Sequence, residues 1–174
     1  MLKFLLLLGL LAGCARNVRV EQSPEMKTFS NSFVCFSPDE ACDLKLVDFI
    51  RSAKTSIDVA VFDITHPQIV HEILLASRKI PVRVLVDKRQ SRGQHSLVST
   101  FLRAGANVRS GRQRGIMHNK FMIVDGEKVE TGSFNYTHGA TFKNQENQIY
   151  FSNEVLVSRY QERFEKMWKE SRDL

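Results

Sequence analysis

The sequence predicts an α/β domain: a mixed, mostly central β-sheet flanked by helices on both faces. Three observations carry this prediction. From Phe33 to the C-terminus, segments with strand periodicity alternate with segments of helical periodicity. Short apolar runs such as Val82 to Val86 have the composition of strands buried on both faces. The stretch around Asp125-Gly126 instead has the pattern of two antiparallel strands joined by a tight turn.

Taken in order, Leu46, Phe49, Ile50 and Ala53 have helical spacing, and Ile57, Val59 and Val61 then alternate as a strand within Ser56 to Phe62. Pro67 suits a helix start, because its missing N–H would be unpaired there anyway; Val70, Ile73 and Leu74 follow on one face. Val82 to Val86 is the next strand. Leu97, Phe101 and Leu102 mark a helix ended by Gly105. Met117 to Val124 and Lys128 to Ser133 form the two strands of the hairpin, and Glu146 to Phe151 is a further strand. Asn153 can cap a last helix with Val157, Tyr160, Phe164 and Trp168 as its apolar face. A chain of 174 residues, 43% hydrophobic, supports one such domain and is too short for two.

Residues 1–32 have a different character. Lys3 precedes an apolar run from Phe4 to Leu11 that ends in Ala12-Gly13-Cys14. As a helix, Phe4 to Cys14 would span only ~16 Å, against a hydrocarbon core of ~30 Å. Residues 1–13 therefore read as a signal peptide rather than a membrane span. Leu11-Ala12-Gly13-Cys14 resembles the bacterial lipobox, which implies lipid on Cys14 and a membrane-anchored lipoprotein of the bacterial cell envelope. The other reading is an ordinary cleaved signal peptide with an incidental cysteine. Residues 14–32, polar and with Pro24, read as a tether, leaving 33–174 as the domain. Cys35 and Cys42 are then an even pair in an oxidising compartment, either bridged or two reduced thiols. The net charge of +6 favours a polyanionic partner without selecting one.

The chemistry concentrates in His118-Asn119-Lys120-Phe121-Met122-Ile123-Val124-Asp125, followed by Gly132-Ser133-Phe134-Asn135. On a strand, His118 and Lys120 share a face, as do Ser133 and Asn135 on the returning strand. If the two faces coincide, Lys120, Ser133 and Asn135 can donate to phosphate oxygens, and His118 is free to attack phosphorus. Phe134 and Tyr136 fall on the opposite face and read as core. No His, Asp, Glu or Cys grouping has metal-ligand spacing, so neither metal nor cofactor is expected.

The string His-x-Lys-x4-Asp-x6-Gly-Ser-x-Asn resembles the signature of the phospholipase D superfamily, and every specified position is filled. Within it the chain looks most like the small single-motif bacterial nucleases of the Nuc and NucT type, from about Phe33 to Leu174. The resemblance implies a metal-independent phosphodiesterase that cuts nucleic acid, DNA or RNA, through a covalent phosphohistidine. It implies that His118 is the nucleophile, and that Lys120, Ser133 and Asn135 hold the reacting phosphate. Glu146-Asn147 resembles the Glu-Asn pair that follows the motif in these nucleases, so Glu146 would accept a ring N–H from a histidine. Asp125, at odd parity from Lys120 and beside a turn, would support the site rather than touch substrate.

Many relatives carry two such motifs in one chain, whereas this chain has one His-x-Lys. The resemblance therefore implies a homodimer that shares one active site across a two-fold axis. Arg109, Arg112 and Arg114, with Gly111 and Gly115, read as a basic flexible loop that could track a phosphate backbone. Two competing functions remain: a phospholipid phosphodiesterase, favoured by the tether, and a non-catalytic nucleic-acid-binding lipoprotein. The basic loop, and the want of a long apolar loop to cover acyl chains, favour nucleic acid over lipid.

Overall fold

The computed structural model describes residues 32–111 and 115–174. Its helices and strands follow in the order β1 (Phe33–Ser37), α1 (Cys42–Arg51), β2 (Ile57–Val61), α2 (Pro67–Ser77), β3 (Val82–Val86), α3 (Val98–Arg103), β4 (Asn107–Ser110), β5 (Lys120–Val124), β6 (Lys128–Gly132), α4 (His138–Phe142), β7 (Glu146–Phe151), α5 (Glu154–Glu170) and β8 (Arg172–Asp173). They build one eight-stranded sheet in the order β1-β7-β6-β5-β2-β3-β4-β8. β2, β3 and β4 are parallel, and every other neighbouring pair is antiparallel.

The central strands β2, β3 and β5 are buried on both sides, as the apolar runs predict. One face packs against α1, α2, α3 and α4 through Leu46, Ile50, Ile69, Ile73, Phe101 and Ala140. α5 covers the other face, setting Val157 and Phe164 against Ala60, Leu85, Phe121, Ile123 and Val129. Each such large side chain contributes roughly 1.5–3 kcal/mol when fully buried. Asp58 is the charged intruder on β2. It is neutralised across the ladder by Arg83 on β3, with two contacts of 2.7 Å. Arg83 also binds Glu165 at 2.6 Å and lies over the Phe164 ring, so one guanidinium ties α5 to the sheet.

The local signals act as the sequence suggests. Pro67 opens α2, and the Asn153 side chain accepts from Leu156 N–H at the start of α5. Asp125 and Gly126, at φ 60° and 67°, make the turn between β5 and β6. Cys35 and Cys42 form a disulfide that links β1 to α1.

Two strands are shorter than predicted, and the difference bears on function. β5 begins at Lys120 rather than Met117, because its partner β2 ends at Val61, directly opposite Lys120. β6 ends at Gly132. His118 and Ser133 thus stand just beyond the ladder, and loops rather than strand parity set their directions. Arg109, expected in a flexible loop, lies instead on β4, between β3 and β8.

Candidate active site

The parallel strands β2, β3 and β4 all point their carboxyl ends to one edge of the sheet, where ligands bind in open α/β folds. The antiparallel β5 starts at that edge, β6 ends there, and β7 begins there. His118, Lys120, Ser133, Asn135 and Glu146 therefore all come from the same edge.

His118 is exposed, with its ring edge-on to Phe62 at 4.6 Å between centroids. Phe62 is the residue immediately after β2. Lys120 is only 8% exposed; its Nζ donates to the His118 carbonyl at 2.8 Å and sits 5.2 Å from the Phe62 ring centre. Burial lowers the Lys120 pKa, and the charge of Glu146 partly opposes that shift. Ser133 Oγ donates to Glu146 Oε2 at 2.5 Å and accepts from Asn147 N–H at 3.1 Å. The other Glu146 oxygen accepts from Asn144 Nδ2 at 2.9 Å. Asn135 Oδ1 is buried with no protein partner among the described residues.

Gly132 makes the Ser133–Glu146 contact possible. A Cβ at this position would stand 2.0 Å from Asn147 O, so only glycine lets β7 approach closely enough for Ser133 N–H to bond that carbonyl. Phe134 and Tyr136 are fully buried, as expected, and anchor the loop that carries Asn135.

Glu146, expected to accept a histidine N–H, accepts within the chain from Ser133 and Asn144, and its carboxylate keeps lone pairs for a further donor. Two sequence expectations require correction. Asp125, expected to support the site, does not reach it. It lies at the far end of β5 and accepts from the backbone N–H groups of Lys54, Thr55 and Ser56, tying the α1–β2 loop to the hairpin turn. Arg109 is committed: Asp173 binds its Nε at 3.0 Å, and its guanidinium lies over Trp168 at 4.8 Å. Cys14, Arg112 and Arg114 fall outside the described residues.

Sequence reasoning misses Phe62, Asp63 and Asp87. Asp87 follows β3 and is 4% exposed; one oxygen accepts from Arg89 and Gln90 N–H, the other from Met117 N–H at 3.0 Å. It thereby fixes the backbone one residue before His118. Asp63 accepts Tyr136 N–H through its carbonyl, and burial raises the pKa of its carboxyl. Val-Phe-Asp and Val-Asp at the ends of two predicted strands are the available signal. Among the described residues, no three His, Cys, Asp or Glu side chains come together as a metal site.

An open sheet edge presenting an imidazole, a buried ammonium, a hydroxyl and an amide has the groups to bind a phosphate and offer it a nucleophile. Residues 46–168 match the family described as cardiolipin synthase, PLD-like domain. The chain is 31% identical to Nuc, a phospholipase D family member from Salmonella typhimurium, with a TM-score of 0.78 over 83% of this chain and 97% of that one. NucT from Helicobacter pylori shares the fold, with a TM-score of 0.77 at 23% identity over 83% of this chain and 99% of the other. The mitochondrial cardiolipin hydrolase of Chlamydomonas reinhardtii is 35% identical over 125 residues, 71% of this chain and 56% of that protein. The chain spans less than two thirds of the length of the Chlamydomonas and Xenopus cardiolipin hydrolases it matches. It belongs to the phospholipase D superfamily of phosphodiesterases.

Proposed function

We propose that this chain hydrolyses nucleic acid through a covalent phosphohistidine on His118, as a homodimer in which two copies share one site. The observation that carries this reading is the exposed His118 imidazole beside a buried, cationic Lys120. The ring nitrogen can reach an incoming phosphodiester, while Lys120 supplies charge in a low-dielectric setting where it acts strongly. Asn135 can hold one remaining oxygen, and Ser133 another once its single hydroxyl proton turns from Glu146 to the phosphate. His118 attacks phosphorus and the leaving oxygen takes a proton from the His118 of a second copy. That second ring then removes a proton from water, which cleaves the phosphorus–nitrogen bond and regenerates the enzyme. Likeness to Nuc supports this reading.

A second reading has its own support, because the Chlamydomonas and Xenopus relatives are named cardiolipin hydrolases. Phospholipid is the alternative diester. The lipobox-like Leu11 to Cys14 further supports a lipoprotein of the bacterial envelope. Acyl labelling should disappear in Cys14→Ser, and a wild type that is soluble and unlabelled would leave only an ordinary signal peptide.

The decisive experiment offers DNA, RNA and cardiolipin vesicles to the mature protein in EDTA. The expected result is nucleic-acid cleavage that survives the chelator and disappears in His118→Ala. Loss in EDTA with rescue by Mg2+ would overturn the mechanism. Cleavage of the vesicles alone would select the lipid reading, and binding without cleavage would leave a non-catalytic lipoprotein.

A further inference from the structure

The two sequence neighbours of His118, Met117 and Asn119, both line a cleft of about 280 Å³ between the start of β5 and the C-terminal half of α5. Its floor is apolar: Leu85 is fully buried, Met117 is 7% exposed, and Met167 packs against the same cluster. Asn119 stands in the wall, and among the described residues its amide has only thioether acceptors, Met167 Sδ at 3.3 Å and Met117 Sδ at 3.7 Å. Thioethers are weak acceptors, so this amide is cheaply released to a better partner. Arg163 and Lys166, three residues apart on α5, bring two charges to the rim on one side of the helix. Neither has an ion-pair partner among the described residues. Glu170, also at the rim, is already engaged. α5 itself is held from another side, through Arg83 to Glu165 and Gln161 to Asp58. The two rim cations are therefore not needed to dock the helix.

We propose that this cleft is a flanking-nucleotide subsite, which takes the nucleotide beside the scissile phosphate. The base lies on Met167 and the exposed part of Met117, above the buried Leu85, where sulfur–ring contacts are favourable, with its polar edge toward Asn119. The adjoining phosphate is held at the rim by Arg163 and Lys166. An amide held only by thioethers over an apolar floor, with two cations at the mouth that have no ion-pair partner among the described residues, suits a base and its phosphate together. The inference rests on the nucleic-acid reading above and extends it, since it says why a polynucleotide would be preferred to a small diester.

The test compares the full mature chain with Arg163→Gln/Lys166→Gln on single-stranded oligonucleotides and on bis(p-nitrophenyl) phosphate, which has no neighbouring nucleotide. KM for the oligonucleotide should rise on the order of tenfold, and the dependence of log KM on log salt should become shallower by about 1 for each cation removed. Turnover of the small diester and the melting temperature should not change. Equal oligonucleotide KM and salt slope in the two proteins would overturn the subsite while leaving the nuclease reading intact. A wild type that cuts the small diester but no nucleic acid would overturn the parent reading and the subsite with it. Weakened cardiolipin hydrolysis by the double variant, with nucleic-acid KM unmoved, would reassign the cleft to a lipid headgroup.

Discussion

Lys120 illustrates how one residue carries both a cost and a function. Its stem is buried, and its ammonium meets one carbonyl oxygen and the face of Phe62, a sparse set of partners for a full charge. Burial consequently lowers its pKa. Lys120 is charged below that lowered value and loses its charge as pH rises through it, earlier than an exposed lysine would. A bound phosphate would reverse the shift by supplying the missing negative partner. Phosphodiester kcat/KM should therefore fall on the alkaline side as free Lys120 deprotonates. Lys120→Arg keeps its charge throughout, so it should lower kcat/KM at neutral pH through misplaced geometry but flatten the alkaline limb. A pH–rate profile of the variant that keeps the wild-type limb would assign it to another group. Ser133 and Glu146 are similarly coupled: the short hydrogen bond between them holds the hydroxyl in place, and its proton must turn from the carboxylate to donate to a phosphate oxygen.

At the scale of elements, β6 places a carboxyl where the core should be apolar. Glu130 is fully buried and accepts from Tyr136 O–H at 2.8 Å, and burial pushes its pKa up to about 8 from 4.5. The folded chain keeps a proton that the unfolded chain releases. Stability from this group is thus full below pH 4.5 and is lost as pH rises toward 8, at about 1.4 kcal/mol per pH unit. His66, whose pKa burial lowers, acts with the opposite sign below 6.5 and is common to wild type and variant. Melting temperature should fall between pH 5 and 8 more steeply in wild type than in Glu130→Gln, by roughly 3–6 °C per unit. Parallel curves would mean that Glu130 is not protonated in the fold. β6 itself is legible in the sequence, as are β2, β3, β7 and α5, because each has a period or cap of its own. β1, β4, α4 and β8 are not. β4 has four residues, three of them polar, and β8 two residues paired only with β4; α4 is five residues containing Gly139 and Thr141, poor helix formers. These elements exist because neighbours already in place pair or pack with them. The same distinction divides the site. The motif string is contiguous and readable, whereas Phe62 and Asp87 arrive from the ends of other strands and become visible only when the sheet is assembled.

The whole molecule poses a counting problem. In-line displacement at phosphorus needs a nucleophile and a separate proton donor for the leaving oxygen, yet each chain brings one motif histidine. Among the described residues, the ring neighbour of His118 is Phe62 rather than a second histidine. Glu146, expected to bind a histidine, accepts within the chain from Ser133 and Asn144 and keeps lone pairs for a histidine of a second copy. The site lies at an open edge of the sheet, where a second copy can present its own His118 across a two-fold axis. On this reading a His118→Ala chain should fold and dimerise, but any dimer containing it should be nearly inactive, because the attacking ring or the donating ring is missing. Wild type and His118→Ala, dissociated, mixed in equal amounts and reassembled at random, should form about one quarter wild-type dimers. Activity at constant total protein should then drop to about that quarter, whereas independent sites would retain about half. Subunit exchange is verified separately with tagged chains, so incomplete mixing cannot imitate independence. A value near one half after full exchange would sink the shared site, and the proton donor would have to be sought within one chain, with the half-buried Asp63 beside Phe62 as the first residue to replace.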